Sequence, residues 1–202
     1  MRVTEIRARR KQLSALYLDG EYAVSIDTKT LLEQRVDVGS ELDDEDLREL
    51  ISLSDENRAK EKALRLISYR SHSKKELTDK IRRTATDEAA QKAADRMEEL
   101  GLVNDEDFAR RYAEQLLTIK HMSKRAAAME LQRKGIDRDM IEETLGEIEV
   151  DPREQITEFL SKKYKNLDDE KIKRRAIAAL RRLGYGWEDI RGVLDEIAEG
   201  EL

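Results

Sequence analysis

The sequence contains no cysteine, which excludes disulfides and thiolate metal sites and fits a reducing compartment. Aromatic residues make up only 4% of the 202 residues, and there is a single proline. No apolar run approaches the roughly 20 residues that a membrane-spanning helix needs. The first residues, MRVTEIRARRKQ, lack the apolar core of a signal peptide. We therefore expect a cytoplasmic protein that does not enter the membrane.

Signatures of catalysis are also missing. The sequence has no glycine-rich phosphate loop and no nucleophile elbow. Its two histidines, His72 and His121, stand at equivalent places just before two serines, and we interpret both as turn or surface residues. With 42% charged residues, neighbouring carboxylates on helix faces are unavoidable and indicate no acid–base pair. We expect no enzymatic activity, no cofactor and no metal.

What the sequence does contain is a module of three short helices at residues 104–148. Asn104, Ser123 and Asp137 are suited to cap the helix starts, and Gly135 is suited to end the middle helix. Apolar residues follow at helical spacing in each segment. The predicted inward faces are Phe108, Tyr112, Leu116 and Ile119, then Ala127, Ala128 and Leu131, then Ile141, Leu145 and Ile148.

The same module recurs before and after this segment. Ile81, Leu131 and Leu180 occupy equivalent places in the middle helices, separated by 50 and 49 residues. ELQRKGIDRDMIEETLGEI (130–148) aligns with ALRRLGYGWEDIRGVLDEI (179–197), whereas the first copy (73–100) shares the serine cap and the basic middle helix but lacks the glycine. A period near 50 residues predicts a repeat array. Helices are predicted at 55–70, 73–83 and 87–100 in the first copy and at 171–182 and 187–197 in the third.

The N-terminal part differs from the array. LSALYLDGEYAVSI (13–26) predicts a β-hairpin around Asp19-Gly20, with a further strand at 3–9 and helices at 28–35 and 42–53. The acidic residues 43–46 complement the start of the second of these helices. We place a boundary at 51–57 and divide the chain into residues 1–53, 54–103, 104–150 and 151–202. The predicted fold is mainly α, with tandem three-helix repeats behind a small β-hairpin/α part.

Basic residues recur on or beside every middle helix, although a solvated helix face would explain any one cluster. If the repeats stack, these residues form a stripe that could meet phosphates or an acidic protein surface. The candidate contact residues are Lys74, Lys75, Lys124, Arg125, Lys134, Arg174, Arg175 and Arg182. Trp187, the only tryptophan, is predicted to pack near the start of the last helix, with a contact role as the alternative.

Several stretches resemble the RecX family of bacterial regulators of the RecA recombinase. They are LYLDGEYAVSI (16–26), ALRLISYRSHSKKEL (63–77), LGLVNDEDFARRYAEQ (100–115), ELQRKGI (130–136) and RRLGYGWEDIRGVL (181–194). The resemblance implies an elongated, curved array that binds in the groove of the RecA–DNA filament. It also implies limits on filament growth, ATP hydrolysis and strand exchange, within DNA repair and SOS control. Contact with single- or double-stranded DNA would be secondary, and we expect a monomer.

The chain departs from the family pattern just before the second middle helix. Family members often carry Gly-x-Gly and an arginine there, whereas this chain has KHMSKRAAAMEL (120–131), with Ala126 at the place of the arginine. Lys124 and Arg125 are adjacent and could substitute. Two other interpretations remain open: a sequence-independent DNA-binding module, which the net charge of −6 disfavours, and a helical scaffold for an unrelated protein.

Overall fold

The computed structural model describes residues 1–10 and 12–199, which belong to two compact units, Met1–Asn104 and Asp105–Leu202. The first unit contains β1 (Val3–Ala8), β2 (Leu13–Leu18), β3 (Glu21–Asp27), α1 (Thr28–Glu33), α2 (Asp44–Tyr69), α3 (Lys74–Ile81) and α4 (Asp87–Glu99). The second contains α5 (Asp105–Glu114), a π-helical turn (Gln115–Ile119), α6 (Lys124–Arg133), α7 (Arg138–Glu147), α8 (Pro152–Lys163), α9 (Glu170–Arg182) and α10 (Trp187–Glu199). The predicted class, mainly α with three-helix repeats behind a small β part, is confirmed.

The N-terminal strands form an antiparallel sheet in the order β1-β2-β3. The predicted hairpin turn is confirmed, because Asp19 and Gly20 both have positive φ, at 50° and 91°. Leu16 pairs with Val24 across the hairpin. One face of the sheet is buried against the helices that follow; its apolar cluster contains Val3, Leu16, Leu18, Ile26, Leu31, Val36 and Leu50.

A break in the helix at residues 51–57 was predicted, and this was wrong, because α2 runs without interruption from Asp44 to Tyr69. Two polar residues of this segment attach the helix to the β part. The buried Ser54 hydroxyl accepts a hydrogen bond from the Asp27 N–H at 2.8 Å, and the Asn57 amide donates to the Thr30 hydroxyl at 3.0 Å. The four-part division of the chain stays a prediction, but its first boundary falls inside this helix.

The second half of α2 packs with α3 and α4 around a core that is rich in alanine. Ala59, Ala63, Leu77, Ile81 and Ala90 are buried in this cluster. Ser73 caps α3, as predicted, by accepting from the Glu76 N–H at 3.2 Å. Small residues bring the helices close together and leave little apolar volume to bury, so the packing of this unit depends on close fit.

The second unit contains two apolar clusters, one for each of its three-helix repeats. Phe108, Leu116, Ala127, Leu131 and Ile141 belong to the first of them. The second is built from α8, α9 and α10 and contains Ile156, Phe159, Leu160, Ala176, Ala179, Leu180, Tyr185, Ile190, Val193 and Leu194. Asp151 caps α8 ahead of Pro152 at the first helical position, as predicted.

The predicted inward position of Ile119 was wrong. Residues 115–119 form a π-helical turn, whose wider backbone advances the helix by less angle per residue than an α-helix does. This wider turn rotates Ile119 off the buried face, so that its side chain is 71% exposed, while Leu117 is fully buried. No helix among residues 1–10 and 12–199 combines the length and the apolar character needed to cross a bilayer.

Candidate interaction site

The candidate contact residues lie on the three middle helices, α3, α6 and α9, or at their ends. Each of these helices begins with a side-chain cap, from Ser73, Ser123 and Asp169 respectively. The cap accepts from the first backbone N–H groups and so fixes where the next residues emerge. The three helices differ, however, in how their positive charges are compensated.

On α3 the charges are paired within the first unit. The Lys74 ammonium lies 2.7 Å from an Asp95 carboxylate oxygen and 2.6 Å from one of Glu98, both on α4. The hydrogen bonds that Lys74 donates to these two carboxylates raise its pKa, and the ammonium lowers the pKa of Asp95. Lys75 is paired with Asp79, four residues along, at 3.0 Å. The first repeat therefore offers few uncompensated cations.

On α6 the two candidates at the helix start differ from the one at its end. Lys124 and Arg125 are exposed, and neither has a salt-bridge partner among the described residues. Lys134, the C-cap residue, is half-buried. Its ammonium lies 5.7 Å from the centre of the Tyr112 ring. Lys134 therefore contributes to packing as well as to charge.

The basic face of α9 is the most concentrated of the three. Its 13 residues, EKIKRRAIAALRR, contain six basic residues and one acid, Glu170. At 100° per residue, the exposed positions 171, 174, 175, 178, 181 and 182 span about 120° of the helix surface. We call this the α9 basic face; it consists of Lys171, Arg174, Arg175, Ala178, Arg181 and Arg182. In the described part of the chain, none of its five cations has a salt-bridge partner.

The start of α6 lies against the end of α9. The Ser123 N–H donates to the Leu183 carbonyl at 2.9 Å, which places Lys124 and Arg125 beside the turn that follows Arg182. A cavity of about 370 Å³ opens here and is lined in part by Lys124, Arg125 and Gly184. Arg174 and Arg175 lie about 12 Å further back along α9. The second unit thus contains six of the eight candidates, and all of them except Lys134 lie on α9 or at the start of α6.

A buried polar network fixes this junction. The Tyr185 hydroxyl lies 2.9 Å from the His121 carbonyl oxygen and 3.0 Å from the Gln155 Oε1. The Gln155 amide in turn donates to the Leu117 carbonyl at 2.8 Å. Burial raises the pKa of Tyr185, which keeps the hydroxyl protonated as a donor. Neither Tyr185 nor Gln155 was predicted to be structural, although the tyrosine directly follows the glycine that ends α9.

Three predictions about single residues need correction or refinement. His72 and His121 do stand at helix junctions, but both are buried rather than on the surface, at 3% and 7% exposure. His121 also has a positive φ of 50°, which the chain needs to turn from the π-helical turn into α6. Trp187 begins α10 and is 53% exposed, so only about half of its surface is packed against the protein as predicted.

No group of three or more histidines, aspartates or glutamates in residues 1–10 and 12–199 could hold a metal ion. The candidate residues on α9 and at the start of α6 present exposed guanidinium and ammonium groups. Such groups bind phosphates and carboxylates through charge and hydrogen bonds. An interaction surface for an anionic partner is the arrangement that the geometry supports.

Comparison with known proteins is consistent with this architecture. Residues 59–97 and 104–145 match the models of the first and second RecX three-helix domains. The regulatory protein RecX of Bacillus velezensis is 31% identical over 96% of this chain and 76% of its own length. That of Clostridium beijerinckii is 30% identical over 96% of this chain and 93% of its own length.

Two crystal structures share the fold. A regulatory protein RecX superposes with a TM-score of 0.61 at 20% identity, over 96% of this chain and 99% of the other. RecX from Lactobacillus salivarius gives a TM-score of 0.53 at 22% identity, over 71% of this chain and 97% of the other. At 20% and 22% sequence identity, these similarities show a shared fold and nothing more.

Proposed function

Because this chain belongs to the RecX family of regulatory proteins, we propose that it is a negative regulator of RecA. In this proposal it binds the RecA–DNA filament and limits filament extension, ATP hydrolysis and strand exchange during DNA repair and the SOS response. It acts as a cytoplasmic monomer, without a cofactor and without catalysis of its own.

The contact residues in this proposal are chosen on one observation, the uncompensated charge of the α9 basic face. A cation that already has a carboxylate partner must lose that partner before it can bind another anion, so its net contribution to binding is small. Arg174, Arg175 and Arg182 have no such partner among the described residues. We propose them, together with Lys124 and Arg125, as the principal contacts with the filament.

The remaining candidates have a smaller role in this proposal. Lys74 holds α3 against α4 through two carboxylates, and Lys75 is paired along its own helix. Lys134 is half-buried, unlike the exposed Lys124 and Arg125. These three residues would contribute to the long-range potential of the surface, which affects the rate of association more than the affinity.

The physical mechanism we propose is bridging of neighbouring RecA protomers. An array of repeats spreads many weak contacts over a long surface, and once one contact forms, the others form at high effective concentration. A protein held at several points along the filament restrains the relative motion of the protomers that it touches. Filament growth and the hydrolysis cycle both require such motion, so both would slow.

The test is a titration of RecA ATP hydrolysis on single-stranded DNA at near-physiological salt. We expect inhibition at amounts well below one molecule per RecA protomer, together with weak binding to bare DNA. If hydrolysis continues unchanged while bare DNA is bound tightly, the filament proposal is wrong.

A second candidate function is sequence-independent DNA binding, which the α9 basic face also favours, since cations at helical spacing can follow a phosphate backbone. The net charge of −6 weighs against tight binding of bare DNA by the whole chain. A steep fall in the affinity for bare DNA with added salt would be the mark of this function.

A further inference from the structure

A second cavity lies within the second unit, where residues 120–123 connect the π-helical turn to α6. Its volume is about 510 Å³. One wall comes from residues 119–122 and the other from the end of α8 and from Leu183. The α9 basic face does not line it. The lining residues are Ile119, Lys120, His121, Met122, Phe159, Lys162, Lys163 and Leu183.

The walls of this cavity are largely apolar. Ile119 is 71% exposed because the π-helical turn rotates it outward, and Met122 and Leu183 are each half-buried at its edge. An isoleucine this exposed, beside a flexible methionine and a leucine, leaves an apolar surface in contact with water. Such a concave surface, with a few polar groups at its rim, has the form of a binding pocket.

The rim of the cavity carries three lysines. Lys162 is neutralised by Glu158 at 2.5 Å, which holds the pKa of that carboxyl below its usual range. Lys120 and Lys163 instead lie over aromatic rings, 5.4 Å from the centre of Tyr112 and 4.9 Å from that of Phe159. Neither of these two has a salt-bridge partner in the described part of the chain. Two positive charges therefore remain available at the rim.

From this combination we infer that the cavity docks an acidic peptide segment of a protein partner, with one apolar side chain as its anchor. The apolar side chain buries against Ile119, Met122 and Leu183, and flanking carboxylates bind Lys120 and Lys163. Docking of a peptide in this cavity goes beyond the proposed function, because it requires neither a filament nor the α9 basic face.

A nucleobase fits the cavity less well than a peptide side chain does. Binding of an unpaired base depends on an open aromatic face on which the base can stack. The two rings in the lining, Phe159 and His121, are 5% and 7% exposed, and they pack edge to face at 6.3 Å. The Lys163 ammonium also lies over the Phe159 ring. Neither ring presents an open face to a base.

The experiment uses the full chain with ¹³C-labelled methionine methyl groups and synthetic peptides in which glutamates flank a single phenylalanine. We expect the peptide to shift the Met122 methyl signal. Met129, which is 55% exposed on α6, is the internal control for non-specific contact and should not move. A peptide with serine in place of phenylalanine, or with lysines in place of glutamates, should leave Met122 unshifted at the same concentration.

Two charge variants test the rim. Lys163→Glu should weaken binding of the glutamate–phenylalanine peptide roughly fivefold, since one attractive contact becomes repulsive. Lys165→Glu makes the same change two residues away, outside the lining, and should leave the affinity within about twofold. Equal losses in both variants, an unshifted Met122 signal, or a Met122 signal shifted by oligothymidylate but not by the peptide would each overturn the inference. None of these readouts depends on RecA inhibition, so the two proposals fail separately.

Discussion

A Cβ atom on Gly184 would lie 2.5 Å from the Cβ of Ala126, closer than non-bonded carbon atoms approach each other. The turn after α9 is therefore seated directly on the first turn of α6. The alanine at 126, which departs from the arginine of the family pattern, is half-buried at this contact. Its small side chain is what the close approach of the two segments requires.

Replacing Gly184 by alanine should destabilise the second unit by about 2–4 kcal/mol. About 1–2 kcal/mol comes from placing a Cβ at a φ of 92°, and a similar amount from the clash with Ala126 and the Ser123 hydroxyl. Urea unfolding followed by Trp187 fluorescence, which reports on the second unit, measures this loss.

Gly101→Ala is the matched control for that substitution. Gly101 also has a positive φ, of 68°, but a Cβ there would meet no atom within 4 Å. This change should cost only the conformational part, about 1–2 kcal/mol, measured by far-ultraviolet circular dichroism because Gly101 lies in the first unit. Equal losses in the two variants would mean that the contact at Ala126 does not matter.

Reversing two charges of the α9 basic face, Arg174→Glu with Arg175→Glu, should weaken inhibition of RecA ATP hydrolysis about tenfold or more. Two unpaired cations that would face an anionic partner become anions. The concentration needed for half-inhibition measures the effect. The helical circular dichroism should stay unchanged, because both side chains are exposed.

The matched control is Arg110→Glu with Arg111→Glu. It changes the net charge by the same amount, also at two adjacent exposed arginines. These arginines are paired with Glu106 at 3.1 Å and with Asp107 at 2.6 Å. Inhibition should change by less than about twofold, and a loss as large as that of the α9 variant would make the effect one of overall charge.

Lys74 and Lys124 should respond differently to neutralisation, although the two residues occupy equivalent places in their repeats. Lys74→Gln removes two ion pairs and should cost the first unit about 0.5–1 kcal/mol, with little change in RecA inhibition. Lys124→Gln should weaken inhibition a few-fold and leave stability nearly unchanged. Urea unfolding and the RecA hydrolysis assay, applied to both variants, measure these two effects. If Lys74→Gln weakened inhibition more than Lys124→Gln did, the proposed order of importance of the two lysines would be wrong.

The stability of the first unit should fall as the pH drops below about 6.5, because burial lowers the pKa of His72 from its ordinary value of 6.5. Below that value the unfolded chain binds a proton that the folded chain resists. The penalty grows until the pH reaches the lowered pKa of the folded state. In the described residues the buried Nε2 atom has no hydrogen-bond partner to favour its protonation.

His72→Asn isolates this effect from the titration of carboxylates. The Nδ1 atom of His72 lies 2.8 Å from the Arg70 carbonyl oxygen, and the asparagine amide can donate to the same oxygen without titrating. Comparison of the two proteins by urea unfolding between pH 5 and 7 should show a steeper pH dependence in the histidine protein. Parallel curves would exclude His72 as the source.

The features that sequence reasoning predicted well are those determined by a few neighbouring residues. Asp19-Gly20 predicts its hairpin turn because few residues other than glycine and asparagine or aspartate accept positive φ. Ser73, Ser123 and Asp151 predict helix starts because each cap acts within its own first turn. The three-helix repeats followed from apolar spacing and from a period of about 50 residues.

Two of the three features that were missed depend on partners distant in the sequence. The boundary was placed at 51–57, but Ser54 and Asn57 in this segment bind partners in the β part that lie 27 residues earlier. Ile119 was placed inward because regular helical spacing was assumed through a segment that is π-helical. The pairing of Lys74, with carboxylates on α4, was not visible in the basic pattern that it shares with Lys124.

The uninterrupted α2 also determines how this chain can be divided for experiments. Its first half covers the sheet through Leu50, and its second half supplies Ala59 and Ala63 to the first three-helix core. A cut at residue 54 would leave the first turns of α2 with the sheet and the remaining turns with the three-helix core, so each fragment would have to fold with only part of the helix. The compact unit Met1–Asn104 should therefore be kept whole in fragments of the N-terminal half.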